Sequence, residues 1–381
     1  MSKAFLYKNM EKQDVKTATL SGNAVPYGSL PDTNTGYPLC GIDHFRQVAA
    51  LLIVGIHTYP LSSINENLNF LIINVFARIA VPFFLMVTGY FLLPQYISKE
   101  KCSAEPLIRF IKKTGLFYAI ATLLYLPLSI YAGYYSGSAI AADIVRNIIF
   151  DGTFYHLWYL PASIIGVSLI CLLGRKLSIK PIIGIAALLY LFGLLGDSYY
   201  GLAVKVPFLK NVYDAGFRVF SYTRNGLFYA PIFLAMGAMI AKTQRNTDIR
   251  ACLLGFAASL TVMLAEGMVL HSSGLQRHDS MYIALLPCMF FLFRLLLFRK
   301  GKTRPILRDI TMWVYILHPI FIVAVRGVAK ATGLTRWLVD NSVIHYLAVS
   351  LLSIIVSVMI AKLSLRNKLS LSHKTVKGCE D

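Results

Sequence analysis

Asp43-His44-Phe45-Arg46-Gln47-Val48-Ala49-Ala50-Leu51-Leu52-Ile53-Val54-Gly55-Ile56-His57 is mostly apolar, yet it opens with an acid and a base and carries a histidine deep inside. Arg46 and His57 are eleven residues apart, three turns of helix or about 16 Å along its axis. Eleven steps of about 100° return almost to the starting azimuth, so both side chains can face one side. If this helix crosses a membrane, a cation stands at the inner mouth of a cavity and a titratable ring stands well within it. Ionisable groups are expensive at that depth and are functional candidates for that reason.

The rest of the chain supports a membrane reading. Its 381 residues are 56% hydrophobic, only 14% charged, and have a mean hydropathy of +0.61. A soluble chain of this length would carry about 25% charged residues. Apolar runs recur over 43–60, 70–93, 107–131, 156–174, 180–196, 226–241, 250–270, 280–298, 310–328 and 343–362. They predict an all-α, polytopic integral membrane protein of about ten transmembrane helices. Residues 1–42 read as a polar cytoplasmic tail, 43–362 as the transmembrane domain, and 363–381 as a second cytoplasmic tail. The first forty residues contain no apolar core, so no cleavable signal peptide is expected and the first span serves as an uncleaved anchor. The fifth span is the weakest of the ten, being short and opening on Lys180-Pro181.

An even number of spans puts both termini on one side, and the basic residues choose it. With the termini in the cytoplasm, inner segments hold 25 of the 37 Lys and Arg residues and outer segments nine. The positive-inside rule then gives a multi-pass protein of the cell membrane with cytoplasmic termini. The net charge of +19 follows that bias, so no nucleic-acid partner is expected; the partner is the lipid bilayer. The six cysteines show neither metal spacing nor a paired framework, and no metal site is expected. The longest outer segment, 197–225, mixes aromatic residues with four cations and is expected to lie at the interface as an amphipathic lid or to act as a plain connector.

Two polar clusters emerge by depth. Near the inner mouth lie Asp43, Arg46, Arg109, Lys112 and Arg294. Guanidinium forks suit a phosphorylated acyl donor such as coenzyme A, while from the residues alone ordinary positive-inside and snorkelling behaviour is the better account of Arg109, Lys112 and Arg294. Asp43 and Arg46, spaced i,i+3, can pair with each other. Farther in and toward the outer side lie His57, Arg78, Glu266, His318 and His156. His57 is the candidate general base; the bland alternative is a buried histidine hydrogen-bonded to a neighbouring helix. Pro82 removes a helix hydrogen bond, and Thr88-Gly89-Tyr90 reads as a close helix contact. No GxSxG, Walker loop, HExxH or CxxC pair is present.

Taken together, the Asp43/Arg46/His57 stretch, Val81-Pro82-Phe83-Phe84 through Thr88-Gly89-Tyr90, His156-Leu157-Trp158-Tyr159-Leu160-Pro161 and Tyr315-Ile316-Leu317-His318-Pro319 resemble the motifs of the acyltransferase-3 family of membrane proteins. The resemblance covers 43–362. It implies acyl-CoA as a co-substrate, with Arg46 and His57 linked to acyl transfer. The family's inner Arg-x-x-Arg is met here by Arg109-x-x-Lys112, and lysine lacks the paired donors of the fork. A narrower resemblance rests on Phe150-Asp151-Gly152-Thr153, Gly196-Asp197-Ser198-Tyr199-Tyr200-Gly201, Tyr222-Thr223-Arg224-Asn225-Gly226 and His278-Asp279-Ser280-Met281-Tyr282. These are similar to the membrane half of VanT-type serine racemases of D-serine-based vancomycin resistance. That implies L-serine supply to a racemase. The chain ends at Asp381, so racemisation and bound cofactor are not expected of it, and a separate cytoplasmic serine racemase is an implied partner. Serine supply and acyl transfer to another acceptor both stand open at this stage, as does a passive anchor.

Overall fold

The computed structural model describes residues 39–97, 103–133, 140–243, 248–302 and 304–377, with side chains through Arg366. Residues 1–38 of the expected N-terminal tail and 378–381 of the C-terminal one lie outside the described residues. Every regular element among the described residues is helical, and each of the ten apolar runs holds a helix. These are α1 (Cys40–Thr58), α2 (Glu66–Leu92), α3 (Glu105–Tyr131), α4 (Tyr159–Gly174), α5 (Ile179–Leu195), α6 (Ala230–Lys242), α7 (Ile249–Ser272), α8 (Leu285–Phe298), α9 (Pro305–Thr332) and α10 (Ser342–Lys377). The α2, α3, α7, α9 and Ser342–Arg366 helices are each long and apolar enough to cross a membrane, while α4, α5, α6 and α8 are shorter apolar helices. The protein is therefore a polytopic helical membrane protein.

The short helices differ from the expected spans in an informative way. The runs 156–174, 226–241 and 280–298 become helical only at Tyr159, Ala230 and Leu285. Their leading ends are unwound. Irregular backbone at membrane depth is tolerated only where protein or a polar cavity replaces the lost hydrogen bonds. Here Asn225 does part of this: its Oδ1 accepts from the backbone N–H groups of Leu227 (2.9 Å) and Phe228 (3.2 Å). The fifth run, despite Lys180-Pro181, is one continuous helix; Pro181 falls in its first turn, where no intrahelical N–H is needed.

Two proline positions shape the bundle. In α2 the helix changes form before Pro82: a π segment over Phe70–Val75 is followed by a 3₁₀ turn over Phe76–Ile79. Pro82 has no N–H to give the Arg78 carbonyl, so the turn carrying Arg78 is the one that deforms. In α9, Pro319 likewise leaves the Tyr315 carbonyl without its helical donor. The side chain of His318 supplies one, its Nδ1 lying 2.9 Å from that oxygen and 3.1 Å from the Val314 oxygen.

The centre of the bundle is the crossing of α2 and α6. A Cβ on Gly89 would fall 2.0 Å from the Leu234 carbonyl oxygen, and one on Gly237 would fall 2.1 Å from that of Met86. The two glycines admit each other's backbone, as the Thr88-Gly89-Tyr90 reading expects. Around them Phe83, Leu85, Met86, Phe233 and Leu234 are fully buried. A second apolar contact ties α1 to α9 and α10 through Ala50, Val54, Val314 and Val349. Segment 197–225 folds down on the bundle. It holds a helix over Pro207–Gly216 whose Tyr213 is buried and donates to the Phe192 carbonyl at 2.7 Å. Its Lys205, Lys210 and Phe208 point outward, the amphipathic arrangement anticipated for a lid.

Candidate functional site

The site is built on the inner face of α1. Arg46 stands near one end and His57 near the other, and α9 runs alongside. At the Arg46 end, Asp43 is only 2% exposed. Arg308 of α9 grips it with two bonds, Nε to Oδ1 at 3.0 Å and a terminal nitrogen to Oδ2 at 3.3 Å. Arg46 contacts the same carboxylate at 3.5 Å, the i,i+3 pairing the sequence allows. Gln47 adds a bond from its Nε2 to the Leu307 carbonyl at 2.7 Å. These contacts fix the register of α1 against α9, and that register brings His57 opposite His318.

The two rings stack, with centroids 5.3 Å apart and planes 23° from parallel. His156, from the unwound segment before α4, meets His318 edge-on at 5.3 Å. Tyr155 closes the far side of His57 at 4.8 Å. Because both partners of the His318 Nδ1 are carbonyl oxygens, that nitrogen carries the proton and Nε2 is an acceptor. The His318 Nε2 and both ring nitrogens of His156 are buried and hydrogen-bond to nothing among the described residues. Unpaired polar atoms in such a place are costly, and a water or a polar ligand would relieve that cost. Among the described residues no group of three His, Cys, Asp or Glu is arranged to hold a metal ion.

A polar and aromatic strip continues from His156 toward Arg46. Tyr315 lies 5.4 Å from His156 and donates its hydroxyl to that residue's carbonyl at 2.6 Å. Tyr159 follows at 6.0 Å from Tyr315, close enough to Arg46 to feel its charge. Thus the α1 face is lined from Arg46 to His57 by Tyr159, Tyr315, His156 and His318, brought in by α4, α9 and the unwound segment before α4.

The other sequence candidates fall into three places. Arg78 and, unmarked as a site residue in the sequence reading, Arg224 both stand near enough to His57 for their charges to reach it. Glu266 is engaged elsewhere: its carboxylate accepts from the backbone N–H groups of Ile283 (2.6 Å) and Ala284 (2.9 Å) and from the Tyr199 hydroxyl (2.7 Å). It caps the start of α8. Arg109 and Lys112 are exposed on α3, Arg109 paired with Glu105 one turn earlier, and Arg294 packs over the Phe290 ring at 5.4 Å.

Loop residues that sequence spacing leaves scattered meet beside Arg78 and Arg224. Asp197 is buried, and its Oδ1 accepts from Ser280 N–H (2.8 Å), Met281 N–H (3.0 Å) and the Ser198 hydroxyl (3.0 Å). Burial pushes its carboxyl up to about 6, against those hydrogen bonds and the two arginine charges. The same burial, aided by Arg224 and Arg78, holds His278 far below the usual imidazole range. His278 is therefore neutral, and its 3.8 Å approach to Asp197 is not an ion pair at neutral pH. The signal in sequence was the pair of Asp-Ser dipeptides, Asp197-Ser198 and Asp279-Ser280, but nothing in their spacing says that they meet.

A ten-helix membrane bundle with a histidine-lined interior strip defines the class. Residues 41–362 match the acyltransferase domain family, and the chain belongs to that family. Among its relatives are two proteins named amino-acid racemase from Enterococcus faecalis. They are 42% identical over 85% of this chain and 45% of the relative, and 38% identical over 88% and 47%. A serine/alanine racemase from Enterococcus gallinarum is 35% identical over 82% of this chain and 45% of its own. The chain spans slightly under half the length of these relatives. No solved structure matches.

Proposed function

We propose that the protein is the membrane component of a VanT-type serine racemase system, supplying L-serine across the cell membrane for D-serine production in vancomycin resistance. The observation that carries this reading is the polar strip from Arg46 to His57. It gives a small polar solute hydrogen-bonding partners through the depth of an otherwise apolar bundle, at positions where a passive anchor needs none. The names of the relatives supply the substrate class. In this reading both termini of the membrane domain face the cytoplasm, and a cytoplasmic serine racemase receives the substrate.

A second reading is favoured by one specific arrangement, Arg46 and His57 on one face of α1 in a chain of the acyltransferase family. Acyl-CoA would bind at the Arg46 end, with Arg109, Lys112 and Arg294 drawing its phosphates, and His57 would take the proton of an acceptor hydroxyl as its oxygen attacks the thioester carbonyl; the C–S bond then breaks and the proton passes to the departing coenzyme A thiolate. The test is uptake of labelled L-serine by cells expressing wild type or His57→Ala. Uptake above the empty-vector level that His57→Ala abolishes supports serine supply. No uptake by well-inserted wild type refutes it; acyl-CoA binding that Arg46→Ala weakens would then support acyl transfer.

A further inference from the structure

Arg224 is the least explained cation in the bundle. It sits in the unwound segment before α6, its guanidinium carbon 4.7 Å from the Tyr222 ring centroid and 5.2 Å from that of Trp158. Its Nε is buried, and it makes no hydrogen bond to any described residue. Stacking on aromatic faces fixes the plane of a guanidinium while leaving its in-plane donors free. Arg78 is in a similar state. It gives one hydrogen bond, from Nε to the Asn74 carbonyl at 3.3 Å. A guanidinium carries about five N–H donors, so nearly all the donors of the pair are unused by the described residues.

The nearby acids do not take them up. Asp197 directs its Oδ1 to two backbone N–H groups and a hydroxyl, and the Oδ2 of Asp279 accepts from the Asn74 side chain at 2.8 Å. Arg224 stacks on Tyr222, whose ring meets His278 at 5.0 Å, and the neighbouring Asp279 bonds Asn74, whose carbonyl Arg78 holds; the charges of Arg78 and Asp197 both reach Arg224. Asp279 is only half-buried and held by Asn74, so the two guanidiniums keep unused donors beside the one fully buried carboxylate, and a planar fork matches a further carboxylate in geometry. Burial, and after it the Arg78 charge, pull Arg224 below its ordinary value, a cost that a bound anion relieves.

We propose that Arg78 and Arg224 together form the docking site for a singly charged carboxylate at the His57 end of the bundle. Arg78 is presented by the deformed 3₁₀ turn and Arg224 by the Tyr222/Trp158 stack. The assignment of that carboxylate to an amino acid rests on the serine-supply reading; the site itself does not. His57, within reach of both charges, would then face the rest of the ligand.

The test is labelled L-serine binding to the purified protein in lipid nanodiscs, with competitors applied to wild type and with Arg78→Gln, Arg224→Gln and Arg224→Lys. Each glutamine variant should weaken binding by about tenfold to a hundredfold, the range for losing a charge-assisted hydrogen-bonding partner. Arg224→Lys, which keeps the charge and loses the fork, should fall between. On wild type, L-lactate should compete, whereas L-serinamide and inorganic phosphate at equal concentration should not. If serinamide competes as well as serine, or a folded Arg224→Gln binds serine with unchanged affinity, the carboxylate site is wrong while serine binding stands. If wild type binds no serine but L-lactate raises its thermal stability in an Arg224-dependent way, the site is right and the serine reading fails. If wild type responds to neither probe, both are wrong.

Discussion

Asp43→Asn is the most informative single change, because the structure gives this carboxylate a holding role where the sequence left donor contact and pairing with Arg46 both open. Asp43 is almost fully buried, and the side chains of its partners Arg308 and Arg46 are 19% and 17% exposed. Removing one member of a buried pair costs about 3–5 kcal/mol. The partial exposure of both arginines lets water recover some of that, so we expect about 2–3 kcal/mol here. The loss should not stay local, since Arg308–Asp43 fixes α1 against α9 and thereby sets the His57–His318 stack. The assay is thermal unfolding of Asp43→Asn, Arg308→Gln and the double variant in detergent, with wild type alongside. Each single variant should melt clearly lower. The double should be more stable than the sum of the singles predicts, by about 1–2 kcal/mol, because neither charge is then stranded. Strictly additive losses, or an Asp43→Asn protein as stable as wild type, would refute the ion pair as the clasp of α1 and α9.

Two further expectations follow from single residues. Glu266→Gln turns one of its acceptors into an N–H₂ group facing the Ala284 N–H, so thermal stability should drop by about 1–2 kcal/mol, and the concentration dependence of serine uptake should stay as in wild type; a raised KM without a stability loss would return Glu266 to the substrate path. For Asp197, the folded value of about 6 lies above that of an unfolded carboxyl, so the folded state holds the proton more tightly, and this contribution is lost as pH rises through 6. Asp197→Asn keeps the Oδ1 that accepts from Ser280, Met281 and Ser198; its stability relative to wild type should therefore improve between pH 5 and pH 7 in thermal melts, and a gap independent of pH would count against a charged, buried Asp197.

Hydrophobic composition and the spacing of apolar runs were enough to locate the ten apolar helices α1 to α10 among the described residues, because a bilayer demands apolar segments whose backbone bonds are satisfied internally. Local rules also carried to the structure: Pro82 and Pro319 lie where their helices deform or need a substitute donor, and Gly89 lies where two backbones touch. The eleven-residue spacing of Arg46 and His57 likewise gave their common face, since that needs only the helix period. What lines that face was invisible. His156, Tyr159, Tyr315 and His318 reach it from α4, α9 and the segment before α4, and only helix packing decides such neighbours. The same holds for Asp43, whose principal partner Arg308 is 265 residues away, and for Glu266, which looked like an intramembrane charge and caps a helix. The unwound starts of α6 and α8 escaped the hydropathy pattern because their residues are apolar enough to read as span. In three dimensions those stretches trade helical hydrogen bonds for bonds to Asn225 and Asp197, and that exchange is what brings Arg224 and His278 to the site. The sequence by itself determined where the apolar helices lie along the chain; which polar groups share one interior depends on contacts between distant segments, and only the tertiary structure decided it.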